Sequence, residues 1–352
     1  MTALKIGVAM SGGVDSTVTA ALLAEQGHRV HGYFMRLPLP GMDEHIKRLR
    51  LLTERLAIPL RILELEDFFK QTVIEHFIST YLAGRTPNPC IFCNHTVKFG
   101  RLFSVMRADG MDKGATGHYA RVVKDGEYRL LRGIDPAKDQ SYFLCRLDPE
   151  QLSHIVFPLG TTRKKEVYRK ALELGFTDFE GRESQDVCFM AGKSVSDFFK
   201  EQGIPEKKGD IVSTAGRFLG THRGIWHYTI GQRRGLSIPD ATPWYVTRMD
   251  GTHNRLIVGK HQELFSTSLL LEDVQMLSST FHLPWRGTIQ LRSRHTPCPV
   301  TVISKGCGWS VTFEQPQRAV TPGQYAALYE NDRIVGSGII SKADPKSGEI
   351  SS

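Results

Sequence analysis

Two groups of residues in this chain are equipped for chemistry. The run Ser11-Gly12-Gly13-Val14-Asp15-Ser16 combines paired glycines, two hydroxyls and a carboxylate. Adjacent glycines let a backbone turn tightly and bring its amides against a ligand. A helix starting there adds the positive end of its dipole, so the run reads as an anion cradle. It lacks the Lys-Ser/Thr ending of a P-loop and the spacing of a dinucleotide-binding turn. The plain alternative is a tight turn with a helix cap. The second group is thiols. Cys90 and Cys93 lie in 85–94, a stretch with two prolines that reads as a loop, and Cys188 lies in 184–189. Thiolates attack disulfides and persulfides readily, which makes cysteine a natural carrier of sulfane sulfur. A structural zinc site would need two ligands beyond Cys90 and Cys93, and no second C-x-x-C or spaced histidine pair is present. Cys145, Cys298 and Cys307 read as small buried hydrophobes.

A cradle needs a strand before it and a helix behind it. The apolar run 4–10 supplies the strand, and 17–26 reads as a helix stopped by Gly27. A second strand follows at 29–35. Ile46, Leu49, Leu52 and Leu56 recur at helical spacing within 43–57, and Pro59 closes that helix. A third strand is expected at 60–65, and Val73, Phe77 and Tyr81 mark another helix. Alternating strands and helices predict a parallel sheet covered on both faces. Near residue 200 the pattern changes. Ile289 and Leu291, Val300 and Val302, and Val311 and Phe313 alternate with polar neighbours, as half-buried antiparallel strands of a small barrel do.

Composition sets the outer bounds. The 352 residues are 40% hydrophobic and 23% charged, the mix of a globular protein rather than a disordered or collagenous one. Length alone predicts two or three domains. Six cysteines are too few for a secreted disulfide scaffold of this size, and no apolar run is long enough to span a membrane. With no signal-peptide pattern, the expected location is the cytoplasm. The net charge of +8 is compatible with a polyanionic partner. Its basic stretches are 217–234, 285–309 and 161–170, the first two mixed with tryptophans. Such a mixture suits phosphate contact plus stacking on exposed bases, and a solvated basic face is the plainer reading.

Eight motifs in order carry a family resemblance. SGGVDS at 11–16, GRTPNPCIFCN at 84–94, ATGHY at 115–119 and KDQSYFL at 138–144 are followed by SQDVCF at 184–189, HYTIGQRRGL at 227–236, PWYV at 243–246 and TPGQ at 321–324. Together they resemble the tRNA-specific 2-thiouridylases of the PP-loop ATP pyrophosphatase superfamily, which replace the C2 oxygen of the wobble uridine (position 34) by sulfur. The resemblance implies a mixed α/β chain. It would comprise an N-terminal PP-loop domain with a doubly wound parallel sheet (1–200), a small linking domain that binds tRNA (201–265) and a C-terminal antiparallel β-barrel (266–352). ATP, with magnesium, would be cleaved between its α and β phosphates to adenylate the uridine, because an O-AMP group leaves readily where a carbonyl oxygen does not. Ala9, Met10, Ser11, Gly12, Gly13, Val14, Asp15, Ser16, Met35 and Gly117 would line the ATP site, with Asp15 near magnesium or pyrophosphate.

On the same resemblance, Cys188 would receive a persulfide from a sulfur-donor protein, either a relay protein or a cysteine desulfurase. Cys93 would release that sulfur by forming a transient disulfide with Cys188. Asn88, His118, Lys138, Asp139, Gln140, Arg292, Ser293 and Gln324 would contact tRNA, the acceptors being those for Lys, Glu and Gln. A structural histidine at His118 and a turn residue at Gln324 are the plainer readings. A monomer is expected, with no membrane partner. The chain departs from the family in three places. Cys90 stands where members commonly carry Asp, so three thiols gather, and Cys90, Cys93 and Cys188 could alternatively ligate an iron–sulfur cluster. Ser293 replaces the usual Tyr after Arg292. After Met35 an Asn-Trp and an acidic insertion give way to Arg36-Leu37-Pro38-Leu39-Pro40. Two rival classes remain: another PP-loop ligase, which would not need the thiols, and a tRNA-binding protein without ATP turnover.

Overall fold

The computed structural model describes residues 2–177 and 187–345. Five parallel strands form the first sheet, in the spatial order Leu60–Glu64, Arg29–Arg36, Lys5–Ala9, Lys113–Ala115, Ile155–Val156. Ile6 and Val8 on the central strand pack with Ala20 and Leu23 of helix Val14–Glu25 and with Ile46 and Leu49 of helix Met42–Arg55, which cover one face. The other face is covered by two helical runs, Glu66–Phe69 through Glu75–Leu82 and Pro89–Cys93 through Phe103–Ala108, each with a wide-turned π segment in its middle. The parallel sheet with helices on both faces is therefore as expected.

One expectation fails here. The stretch 85–94 is not a loop throughout, because Pro89–Cys93 is helical. Asn88 caps it by accepting a hydrogen bond from the Ile91 N–H, and Pro89 occupies the first turn, where its missing N–H costs nothing. The two prolines that suggested a loop are a helix start signal.

The middle of the chain forms a four-stranded sheet in the order Tyr245–Asp250, Arg255–Gly259, Gly209–Ser213, Phe218–His222, around a core of Ile211, Trp244, Val246 and Leu256. The last six strands, from Phe265–Met276 to Arg333–Pro345, close into an antiparallel barrel as those two strands pair with each other. Ile289, Val300, Val302, Val311 and Phe313 point into its core, as their alternation predicts. Nothing local in the sequence signals the next feature. A hairpin of the first domain, Ala120–Asp125 and Glu127–Arg132, extends the barrel's sheet through Leu131 opposite Arg333. Glu127 secures it by accepting from the Ser279 N–H at 2.9 Å and from the Arg333 guanidinium. One apolar core, including Phe77, Ile91, Tyr142, Tyr325 and Tyr329, runs from the helices behind the first sheet to the barrel wall.

Candidate active site

The order of the first sheet reverses between Lys5–Ala9 and Lys113–Ala115, and in open α/β sheets ligands bind outside the carboxyl ends of strands at such a switch. The glycine run leaves the first of these strands there. Gly12 has φ +76, a left-handed conformation that suits glycine. The Ser16 hydroxyl donates to the Gly13 carbonyl at 3.0 Å and accepts from the Ser11 N–H at 3.1 Å, folding the turn onto the helix start. Met10 is buried and hydrogen-bonded to Tyr33, while Ala9 and Met35 are half-buried at the adjoining strand ends. The loop after Lys113–Ala115 lies directly on the cradle. A Cβ on Gly117 would stand 2.8 Å from the Asp15 backbone, so only glycine fits.

Asp15 does not face open solvent alone. Its carboxylate accepts from the Tyr119 hydroxyl at 2.7 Å and from Lys164 Nζ at 2.8 Å. Both partners are buried, and Lys164 opens the helix after the fifth strand, so three strand ends converge on one carboxylate. Sequence reasoning counted Lys164 in a basic stretch and missed its place in the site.

The thiols form the second half of the centre. Cys90 and Cys93 sit on the short helix capped by Asn88. Cys188 opens a turn that is anchored by Phe189, whose ring packs edge-on against Phe69 and Phe77 at 5.9 and 5.1 Å. Ser184, Gln185 and Asp186 of that motif lie outside the described residues. Burial pushes the Cys93 thiol up to about 12 and Cys90 up to about 11, and it also raises Cys188, although one side of that residue is exposed. The Lys98 ammonium opposes burial at all three, and the charge of Cys188 reaches both Cys90 and Cys93. Lys98 is a second residue that sequence reasoning missed. It lies five positions after Cys93, and the wide turn of Asn94–Leu102 keeps it on the thiols' side. All six cysteines are free thiols; Cys145 is buried as expected, whereas Cys298 is half-buried and Cys307 is exposed. Among the described residues no three His, Cys, Asp or Glu side chains are arranged to hold a metal ion.

His118 stands between Gly117 and Tyr119 on the segment that meets the glycine loop. Its Nδ1 is 2.6 Å from the Thr116 hydroxyl, and its ring lies 5.7 Å from Phe99 and 6.0 Å from Phe157. Burial, with Lys98 adding to it, lowers its pKa well below the ordinary histidine range, so the imidazole is neutral. The segment 116–119 thus meets the glycine loop at Gly117 and Asp15 at Tyr119, while its His118 shares the field of Lys98 with the thiols.

The remaining expected tRNA contacts fall into two sets. Asn88, Asp139, Gln140 and Gln324 spend side-chain groups inside the protein. Asp139 pairs with Arg132 at 2.8 Å and accepts from Gly133 and Ser141. Gln140 accepts from the Tyr119 N–H at 3.0 Å. The Gln324 amide donates to the Thr86 and Pro87 carbonyls at 2.9 and 3.0 Å, fastening the barrel to the chain that leads into the cysteine helix. Lys138 is half-buried, and Arg292 and Ser293 are exposed. The expected stacking surface is corrected: Trp226, Tyr228, Trp285 and Trp309 are buried. Trp226 stacks on Phe199 with centroids 4.8 Å apart. Composition mixes arginines and aromatics, but folding separates them, leaving Arg217, Arg223, Arg233, Arg286 and Arg294 exposed.

A glycine loop at the switch point of a parallel sheet, together with three thiols gathered in the field of Lys98, defines a PP-loop α/β enzyme of the thiol-bearing kind. Comparison with known proteins agrees with this. Family models match over residues 4–192 ("tRNA methyl transferase HUP domain"), 196–260 ("tRNA methyl transferase PRC-barrel domain") and 266–340 ("Aminomethyltransferase beta-barrel domain"). A tRNA-specific 2-thiouridylase MnmA of Desulfotalea psychrophila is 42% identical over 95% of this chain and 98% of its own length. The protein of that name from Nostoc punctiforme is 39% identical over 96% and 98%. The chain belongs to the tRNA-specific 2-thiouridylase family, a family of tRNA sulfurtransferases. Among solved structures, the U34-tRNA thiolase NcsA of Methanococcus maripaludis with its [4Fe-4S] cluster covers 58% of this chain and 69% of its own, at 20% identity and a TM-score of 0.34. A likeness of that degree carries no argument about this site.

Proposed function

We propose that this chain is an ATP-dependent sulfurtransferase that converts the wobble uridine of tRNA to 2-thiouridine. The observation that carries the reading is the gathering of three thiols in the field of Lys98, which also acts on His118 of the segment whose Gly117 and Tyr119 meet the anion cradle. The cradle suits a nucleotide triphosphate, and an adenylated C2 oxygen is the leaving group that sulfur substitution requires. A magnesium ion accompanying ATP would take phosphate oxygens and the Asp15 carboxylate, neutralising charge there. The family models' descriptions name methyl transfer, whereas the curated relatives are named for thiolation; the thiols favour sulfur as the transferred atom.

The sulfur enters as a persulfide on Cys188, the exposed member, delivered by a donor protein. The Cys93 thiolate attacks the inner sulfur of Cys188, forming a Cys93–Cys188 disulfide and releasing hydrosulfide. Hydrosulfide attacks C2, the C–O bond to AMP breaks, and C2 keeps the sulfur. An external dithiol then reduces the disulfide for the next turnover. Lys98 favours the thiolate in this sequence, and neutral His118 adds no charge to the field it shares with the thiols. The exposed arginines of the middle sheet and barrel suit phosphate contacts, with Arg292 and Ser293 at the rim. The acceptors for Lys, Glu and Gln, a monomeric state and a cytoplasmic location complete the reading.

A cluster on Cys90, Cys93 and Cys188 is the second reading, favoured by the convergence of three thiols. As folded they are not arranged to hold a metal, so no step is routed through it. Iron and sulfide analysis of anaerobically purified protein separates the two. The main test is nucleoside mass analysis of tRNA incubated with ATP, magnesium and a polysulfide that supplies sulfane sulfur to Cys188, using wild type and Cys93→Ala. The expected result is 2-thiouridine and AMP from the wild type only. Absence of 2-thiouridine from wild type in both metal-free and cluster-loaded preparations sinks the proposal.

A further inference from the structure

The segment after Met35, where the chain departs from its family, delivers a histidine onto the glycine loop. Helix Met42–Arg55 turns His45 inward, with its ring tilted against Phe34 at 5.3 Å between centroids. His45 Nε2 lies 2.9 Å from the Ser11 carbonyl oxygen. A carbonyl only accepts, so Nε2 carries the proton and donates. The same ring covers Gly12, where an added Cβ would stand 3.2 Å from both Nε2 and Cε1.

We propose that His45 is a positioning residue of the ATP site: by holding the Ser11 carbonyl, it fixes the Ser11–Gly12 peptide so that the Gly12 N–H is presented to the phosphates. A trans peptide is planar, and its carbonyl and N–H point in opposite directions. Pinning the oxygen toward His45 therefore sends the Gly12 N–H away from it, to the other side of the loop. This peptide needs a latch. Glycine populates positive and negative φ with similar ease, so with φ +76 at Gly12 the unit between it and Ser11 can flip at little cost. The neighbouring donors are already used: Ser11 N–H goes to the Ser16 hydroxyl at 3.1 Å, and Gly13 N–H goes to the Ser11 hydroxyl at 3.4 Å. Among the described residues the Gly12 N–H finds no acceptor, nor do the N–H groups of Val14, Asp15 and Ser16 in the first helical turn, so Gly12 adds an unspent donor to those of the helix start. The loop has no lysine of its own, which raises the value of each aligned amide.

The inference rests on the ATP reading above, and its test separates the two. His45→Phe keeps a ring against Phe34 and removes the donor; His45→Gln keeps an N–H within reach of the Ser11 carbonyl. Calorimetry on the full chain gives the affinity for α,β-methylene ATP, and AMP release in the presence of tRNA gives KM and kcat for ATP. One charge-assisted hydrogen bond lost or misaligned predicts about 10-fold weaker binding for His45→Phe. KM should rise in step while kcat changes little, and His45→Gln should return to within about threefold of wild type. Equal affinities for wild type and His45→Phe overturn the inference, and so does a loss that His45→Gln fails to recover. A wild-type chain that binds no nucleotide refutes the ATP reading itself, which is a different result.

Discussion

Replacing Lys98 by methionine should quiet the thiols further while leaving the fold intact. In the resting chain burial pushes Cys93 up to about 12. At pH 8 a free cysteine with a pKa of ~8.5 is roughly one-quarter thiolate. A thiol at about 12 is ionised in about one molecule in 10,000. Lys98 is the cation that works against burial at Cys90, Cys93 and Cys188 together. For scale, a unit charge ~10 Å from a thiolate at an effective dielectric of ~20 is worth about 1.7 kcal/mol, slightly more than one pK unit. Loss of that charge should therefore lower the Cys93 thiolate fraction about tenfold and move its alkylation profile about one unit higher in pH. The assay is iodoacetamide labelling from pH 7 to 10, with mass spectrometry following the Cys93 peptide and exposed Cys307 as the internal reference. Lys98→Arg should restore the wild-type profile, because it returns the charge. Superimposable Cys93 profiles for wild type and Lys98→Met, with Cys307 unmoved, would refute the electrostatic role.

Other consequences follow from the contacts around the centre. Gln324→Ala removes two hydrogen bonds to the Thr86 and Pro87 carbonyls and should lower kcat several-fold with tRNA affinity nearly unchanged; a filter-binding loss matching the kcat loss would instead make Gln324 a tRNA contact. Glu127, held down to about 2 first by the Ser279 N–H and then by Arg333, contributes stability that is present above the unfolded value of ~4.3 and lost as pH falls toward about 2. Glu127→Gln should flatten that acid limb in thermal melts and cost about 1 kcal/mol at neutral pH, discounted for partial exposure. The raised thiols act in the opposite direction. Cys93 and Cys145, both pushed up to about 12, stabilise the fold fully below ~8.5 and progressively less as pH rises toward about 12. Melting temperature should fall across that window, with a shallower slope in Cys145→Ala.

What the sequence reveals and what it hides differ in physical kind. The barrel strands are legible because alternation is a local property: Val300 and Val302 lie two apart on one face. The glycine loop is legible because its chemistry and its turn use the same six residues. Lys164 is hidden because its partner Asp15 lies 149 positions away, and a lysine among lysines gives no local sign of burial. The same limit applies to Trp226, whose basic neighbours say nothing about the Phe199 ring it stacks on. Pro89 was legible in principle, since Asn-Pro is a cap followed by a first-turn proline, but composition alone reads it as a loop. Lys98 lies between these cases. A helix continuing past Cys93 places it one wide turn further on, yet only the fold shows that Cys188 arrives beside it.

The depth of the thiols fits the order of events that sulfur transfer imposes. Released hydrosulfide is lost to water unless an adenylated carbon is already waiting, so a sulfur carrier that reacts early wastes its cargo. Thiols raised to about 11 and 12 are slow nucleophiles at neutral pH, which keeps the resting centre quiet. Whatever triggers it must change the local charge or desolvation, and the two halves share the means. Tyr119 and Lys164 sense the Asp15 carboxylate at 2.7 and 2.8 Å, and two residues before Tyr119 the same segment fits against the glycine loop. Between them His118 shares the field of Lys98 with the cysteines. A nucleotide that displaces Lys164 from Asp15 therefore alters a segment whose His118 shares the Lys98 field with the thiols. On this reasoning ATP analogues alone, without tRNA, should change the alkylation rate of Cys93, and an unchanged rate at saturating analogue would show the two halves to be independent.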